Sequence, residues 1–316
     1  MQQPEEIWGL VKEAVASWSE DYAPSMGAAL AYYTVFSIAP LLLIVIAVAG
    51  LVFGEEAARG EIFAQLSGLM GEEGALALQG LLESFRHTGT GVFAAGISVI
   101  VLLIGATTVF AELQDALDRI WRAPARQKLG GLWGLVRARL LSFGMILGLG
   151  FLLIVSLVVS AALAALGRWW GATLGGWQLL AGVLNVLLSF GFITVLFAMI
   201  YKMMPRVKIA WHDVWIGAAV TALLFSIGKF VIGQYIGRSG IASGFGAAAS
   251  LIVVLVWVYY SAQIFLLGAE FTWVYAHRFG SLKNRPRPGA VTPTPTRTAE
   301  LDPPGAHGTG RGRRVH

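Results

Sequence analysis

The stretch LVWVYYSAQIFLLGAEFT, Leu255–Thr272, decides what solvent this chain folds in. The sequence around it is almost wholly apolar, which points to a membrane. Yet it carries two tyrosines and a glutamine at mid-length, then a glutamate near its end. Tyr259, Gln263 and Glu270 stand at i, i+4 and i+11, within about 40° on one helical face. Trp257, Ser261 and Gly268 lie on the opposite face. Polar groups in a lipid-embedded helix either line something polar or hold helices together.

The rest of the chain supports the membrane reading. It has 316 residues, 56% hydrophobic and 13% charged, with a mean hydropathy of +0.69. That charge content is about half the usual share of a soluble domain. There is no cysteine, which excludes disulfides, thiolate metal sites and cysteine nucleophiles. The five histidines are scattered without metal-ligand spacing, and no Walker motif is present, so no cofactor is expected. The first residues are acidic (Glu5, Glu6) and the first apolar run begins near Gly27, unlike a cleavable signal peptide.

A helix needs about 20 apolar residues to cross roughly 30 Å of hydrocarbon. Six stretches qualify: 28–53, 92–111, 140–166, 177–201, 214–235 and 251–273. The expected fold is therefore an all-α polytopic membrane bundle with six transmembrane helices. Lys and Arg set its orientation. The loops after the second and fourth spans and the segment after the sixth are rich in them, whereas the other side has only Arg59, Arg86, Arg168 and Arg238. Both termini are expected in the cytoplasm. Trp121, Trp133, Trp211, Trp215 and Trp273 then fall at the inner interface, and Trp169, Trp170 and Trp177 at the outer one.

Residues 1–26 read as a cytoplasmic amphipathic helix, with Ile7, Val11, Ala14 and Trp18 on one stripe. Within the membrane domain 27–275, the outer segment 54–90 reads as two amphipathic helices at the membrane surface, broken at GEEG, Gly71–Gly74. Residues 276–316, rich in Pro, Thr, Gly and Arg, read as a disordered basic tail suited to anionic headgroups. Without aromatics for stacking, the tail gives no reason to expect nucleic-acid binding.

Several polar groups are candidates for lining a track through the bundle. Lys229 sits on a small-residue stripe of the fifth span with Ala218, Ala222, Ser226 and Gly233. It lies roughly 21 Å along the helix from Trp215. An intramembrane cation is either functional or paired with a carbonyl or carboxylate. Asn185 and Ser189 share a face of the fourth span with Gln178, where interhelical hydrogen bonds are the simpler account. Tyr32 and Tyr33 precede Pro40 in the first span, where proline frees a carbonyl and is expected to kink the helix. Asp115–Arg119 and Asp118–Arg122 are i, i+4 pairs that self-neutralise a helix end rather than form an acid/base cluster.

The motifs MGAALAYYTVFSIAPLLL, AELQDALDRIW, MMPRVKIAWHDVWIGAAVTALLF and GFGAAASLIVVLVWVYYSAQIFLLGAE resemble the YihY/BrkB family of bacterial inner-membrane proteins, in the same order from Met26 to Thr272. The last motif, with Trp257, Tyr259, Gly268, Ala269 and Glu270, is the most specific. Phe245-Gly246 stands where the family usually has Tyr-Gly. The resemblance implies a multi-pass inner-membrane protein with links to virulence and envelope lipids. The family's former ribonuclease label is regarded as mistaken, and no agreed catalytic residues come with it.

The expected function is translocation of an envelope lipid or other amphiphile, with membrane lipids as partners. Lys229 would meet the headgroup, and Tyr259, Gln263, Glu270, Asn185, Ser189, Tyr32 and Tyr33 would line the track. The alternative is a structural or regulatory membrane protein whose polar groups only hold helices together. A nuclease would need a metal cluster or a nucleophile–base pair, and the sequence offers neither.

Overall fold

The computed structural model describes residues 4–86, 105, 108–124, 177–238 and 248–283. Among these the chain is all-helical. The labelled helices are α1 (Pro4–Glu20), α2 (Ala23–Phe53), α3 (Glu55–Met70), α4 (Glu72–Arg86), α5 (Trp177–Met203), α6 (Trp211–Arg238) and α7 (Ala249–Arg278). A further helical stretch covers 108–120. Among the described residues four helices are long and apolar enough to cross a membrane: α2, α5, α6 and α7. The expected 140–166 span, and 92–111 apart from 105 and 108–111, lie outside the described residues.

At its start α1 has acidic Glu5 and Glu6, which complement the helix dipole. The chain turns at Tyr22, whose φ of 57° is left-handed, and re-enters helix with a proline in the first turn of α2. Helix α2 then runs unbroken through Pro40. The face of α1 that packs on the bundle carries Leu10, Ala14 and Ser17, all buried, while Ile7 and Val11 of the expected stripe are exposed. An ion pair between Glu13 and Arg278 of α7, 3.8 Å, joins α1 to α7.

One core joins α1, the start of α2, the 108–121 segment, α5, α6 and the C-terminal half of α7. Helices α6 and α7 run antiparallel at close approach. Gly217 faces Thr272, and Gly268 faces Thr221 and the Tyr201 hydroxyl, so a Cβ at either glycine would collide. Buried Ala218 and Ala222 continue this small-residue seam. The Tyr201 hydroxyl donates to the Phe265 carbonyl (2.7 Å) and lies 3.1 Å from the Thr221 hydroxyl.

The second core joins α2, α3, α4 and the N-terminal half of α7. The described part of the expected outer segment, 54–86, forms a helical hairpin packed on the bundle. Helix α3 folds back along α2, and α4 stands against α7. A Cβ on Gly80 would lie 3.5 Å from Ser250 Cβ, and one on Gly74 3.4 Å from Trp257 Cδ1. Gly74 and Gly80 are about 9 Å apart along α4, and Trp257 and Ser250 about 10.5 Å apart along α7, so the two axes run nearly antiparallel. The tip of the α3–α4 hairpin thus reaches about 12 Å down α7 from Ala249. The reason is burial: Ala75, Leu78 and Leu81 fit against α7 and α2, which a membrane surface would leave half-wetted.

A hairpin tip at that depth must satisfy the last carbonyls of α3. Ser67 accepts from Gly71 N–H, 3.0 Å. Gly68 accepts from Lys229 Nζ, 3.0 Å. Met70 accepts from Trp257 Nε1, 3.0 Å. Gly71, at φ 79°, supplies the left-handed turn between the two helices.

The tail expected from 276 overlaps described, ordered residues at its start. Helix α7 continues to Arg278. Buried Asp213 then accepts hydrogen bonds from Ser281 N–H (3.1 Å) and its hydroxyl (2.6 Å), which fixes the following turn. Residues from 284 onward lie outside the described set.

Candidate functional site

Among the described residues two polar clusters stand out in this apolar bundle, at opposite ends of the α6–α7 pair. The first surrounds the α3–α4 tip. Lys229, Gly233, Gln234, Gly237 and Arg238 of α6 face Ser67, Gly68, Gly71, Glu72 and Glu73 across an open cavity of about 480 Å³. Lys229 already caps α3 through Gly68, where a cation meets the negative end of a helix dipole. An ammonium has three donors, so two remain for the cavity. Glu73 lies against Gly237, where a Cβ would be 3.5 Å from its Oε1. Next to the cavity, Ile227, Phe230 and Val231 expose their apolar side chains.

The second cluster lies where α7 passes the α1–α2 corner. Glu270 is 0% exposed. No donor among the described residues reaches either of its oxygens, although the Asp21 carboxyl lies within hydrogen-bonding reach. Both amide atoms of Gln263 are without partners among the described residues. The charged neighbours of Glu270 are Asp21, Arg122 and Glu20. Gln263 packs on Gly27 of α2, where a side chain would not fit. The Trp18 and Trp121 indole N–H groups and Asp21 Oδ2 are buried nearby without partners among the described residues. Such groups are costly unless something polar meets them.

The structure brings some expected residues together and separates others. Gln263 and Glu270 share the α7 face turned to the α1–α2 corner, and Tyr259, 37% exposed, begins that face. Lys229 belongs to the other cluster, and its bond to Gly68 turns it away from Gln263 and Glu270. Tyr32 is exposed and stacks edge-on with half-buried Tyr33 (5.3 Å) and with Phe36 (4.9 Å). Ser189 is exposed on α5. Of Asn185 and Pro40 only the helical backbone belongs to the described residues.

The acidic helix end is also arranged across elements. Asp118 accepts from Arg206 N–H (2.9 Å) and pairs with its guanidinium (3.2 Å). Arg119 lies over the Tyr22 ring and Arg122 over the Trp273 ring, 5.4 and 4.7 Å to the centroids. Sequence reasoning missed Asp21, Arg122, Glu72 and Glu73 as site residues. Nothing in their local patterns marked them, because each acquires its role from a helix distant in sequence. Among the described residues no cluster of three or more His, Cys, Asp or Glu side chains could hold a metal ion.

The comparisons with known proteins agree on one family. The family model for virulence factor BrkB matches residues 14–292. A UPF0761 membrane protein of Ralstonia nicotianae is 30% identical over 82% of this chain and 57% of its own length. One from Tolumonas auensis is 30% identical over 80% of each chain. One from Pseudomonas aeruginosa is 27% identical over 79% of this chain and 58% of its own. The chain thus spans little more than half the length of the Ralstonia and Pseudomonas proteins. No solved structure matches.

Proposed function

The chain belongs to the virulence factor BrkB family of membrane proteins, and from that premise we propose that it moves an envelope lipid or similar amphiphile across the bacterial inner membrane, with both termini cytoplasmic. The observation that carries this reading is the cavity lined by Lys229, Glu72 and Glu73 beside the exposed apolar side chains of Ile227, Phe230 and Val231. Charge and lipid-facing surface side by side suit a molecule with a polar head and apolar tails. The headgroup meets the free donors of Lys229, while the tails stay in lipid along α6. Tyr259 and Gln263 offer the next polar contacts along α7, and Glu270 the last. The curated relatives carry no catalytic name, and this mechanism uses no covalent chemistry.

One observation favours the non-transporting alternative: Lys229 has a structural partner in Gly68, so its charge has a role in holding the hairpin. The experiment that separates the two readings follows labelled lipid in proteoliposomes. Lys229→Met and Glu270→Gln are each expected to slow its movement about tenfold or more, the worth of one charge-assisted hydrogen bond. Unchanged rates in both variants would remove these residues from the path. A stoichiometric protein complex together with no lipid movement at all would establish the scaffold reading instead.

A further inference from the structure

Beyond translocation itself, we infer that the cavity at the α3–α4 tip selects a zwitterionic phospholipid headgroup, one that joins a phosphate to an ammonium, over an anionic one. The inference rests on the amphiphile reading above and names the substrate class of that site. Its ground is the balance and spacing of charge. The cavity is lined by two cations, Lys229 and Arg238, and two carboxylates, Glu72 and Glu73. Its formal charge is therefore zero, which gives no net attraction to an anion.

Opposite charges on one wall can pair with each other rather than with a ligand, for a gain of about 0–1 kcal/mol where they are exposed. Among the described residues none of these four side chains makes an ion pair with another charged group. Lys229 donates to Gly68 at the end of α3, while Glu73 lies against Gly237. Lys229 and Gly237 are about 12 Å apart along α6. A ligand with both charges can satisfy a cation and a carboxylate of this lining at once, whereas an anion meets Lys229 or Arg238 and faces the glutamates as well.

The polarity of the site also matches a lipid. In the proposed orientation the C-terminal end of α6 faces the outer surface. Lys229 then lies deeper in the membrane than Glu73. The phosphate of a phospholipid in the outer leaflet is closer to the tails, and its ammonium is closer to water. Lys229 thus takes the phosphate and Glu73 the ammonium, with Phe230 and Val231 beside the acyl chains.

The test is competitive retention in nanodiscs of equal phosphatidylethanolamine and phosphatidylglycerol, with bound lipid read by native mass spectrometry. The wild type is expected to enrich phosphatidylethanolamine about three- to fivefold, the worth of a partly exposed ion pair. The Glu72→Gln/Glu73→Gln variant, which leaves the hairpin's carbonyl caps intact, is expected to lose that preference or reverse it. Lys229→Arg, which keeps the cation, is expected to retain it. A wild type that favours phosphatidylglycerol, or a preference unmoved by the glutamine variant, overturns the assignment. Displacement of bound lipid by excess water-soluble glycerophosphoethanolamine would make the ligand a free headgroup compound rather than a lipid. Lipid movement without headgroup preference sinks this inference alone. Preference without movement sinks the translocation reading alone.

Discussion

Tyr201 shows how a single residue can hold the α5–α6–α7 contact. Its hydroxyl donates to the Phe265 carbonyl, already bonded within α7, and meets Thr221 on α6. It also occupies the space that a side chain at Gly268 would need. Tyr201→Phe removes the donor and leaves Thr221 its bond to Gly217. The expected cost is modest, about 1 kcal/mol. Gly268→Ala is different in kind, because its Cβ would lie 2.7 Å from the Tyr201 oxygen and closer still to Thr221. Helix α6 must then shift away from α7, and overpacking of this sort costs about 1–3 kcal/mol. Melting temperatures in detergent should therefore fall clearly further for Gly268→Ala than for Tyr201→Phe. The opposite order would mean that the hydroxyl, and not the close approach, holds the three helices. Gly268 could be read from the sequence as one of the small residues in the most specific motif. Its partners could not, because α6 and α7 meet in a register that no local pattern encodes.

At the scale of elements, the α3–α4 hairpin is where sequence reading and structure part most. The segment was legible as two amphipathic helices broken by a glycine turn, and Gly71 provides that break. Its placement was not legible, because apolar stripes such as Leu78 and Leu81 fit a membrane surface and a protein face equally well. The lengths misled too: helices of 16 and 15 residues fall short of the roughly 20 needed to span. What fixes the hairpin is nonlocal, namely Trp257 and Lys229 capping carbonyls at the end of α3. The absence of native cysteine makes this placement directly testable. A Cβ on Gly80 would stand 3.5 Å from that of Ser250, within the range of about 3.5–4.5 Å for a disulfide. Gly80→Cys/Ser250→Cys should cross-link on mild oxidation, seen as a mobility shift reversed by reductant. Gly60→Cys/Ser250→Cys serves as the control, since a Cβ on Gly60 meets nothing within 4 Å. Equal cross-linking of both pairs, or none in the first, would contradict a hairpin standing along α7.

For the whole molecule, the two polar clusters matter only if they open toward different sides of the membrane. The expected orientation rests on the Lys and Arg distribution, a bias that acts through short loops near the helix ends. The structure adds a consistency that the charge count did not use. The α1–α2 corner, Arg206 and the α7 terminus pack together at one end of the bundle, while Gly54 and the N-terminus of α7 belong to the other. One orientation must therefore serve all of them at once. With both termini cytoplasmic, Glu83 of α4 and Arg206 after α5 face opposite compartments, and both are exposed. Single cysteines at these two positions report the side without altering the core. Glu83→Cys should react with a membrane-impermeant maleimide in spheroplasts, whereas Arg206→Cys should react only after permeabilisation. If the two swap, the bundle is inverted and Lys229 lies nearer the cytoplasm than Glu270, which would reverse the leaflet assigned to the headgroup. If both react from outside, the α5 span is wrong. The arginine variant also loses its contacts with Asp118, so its melting temperature must stay close to wild type for the labelling to report topology rather than unfolding.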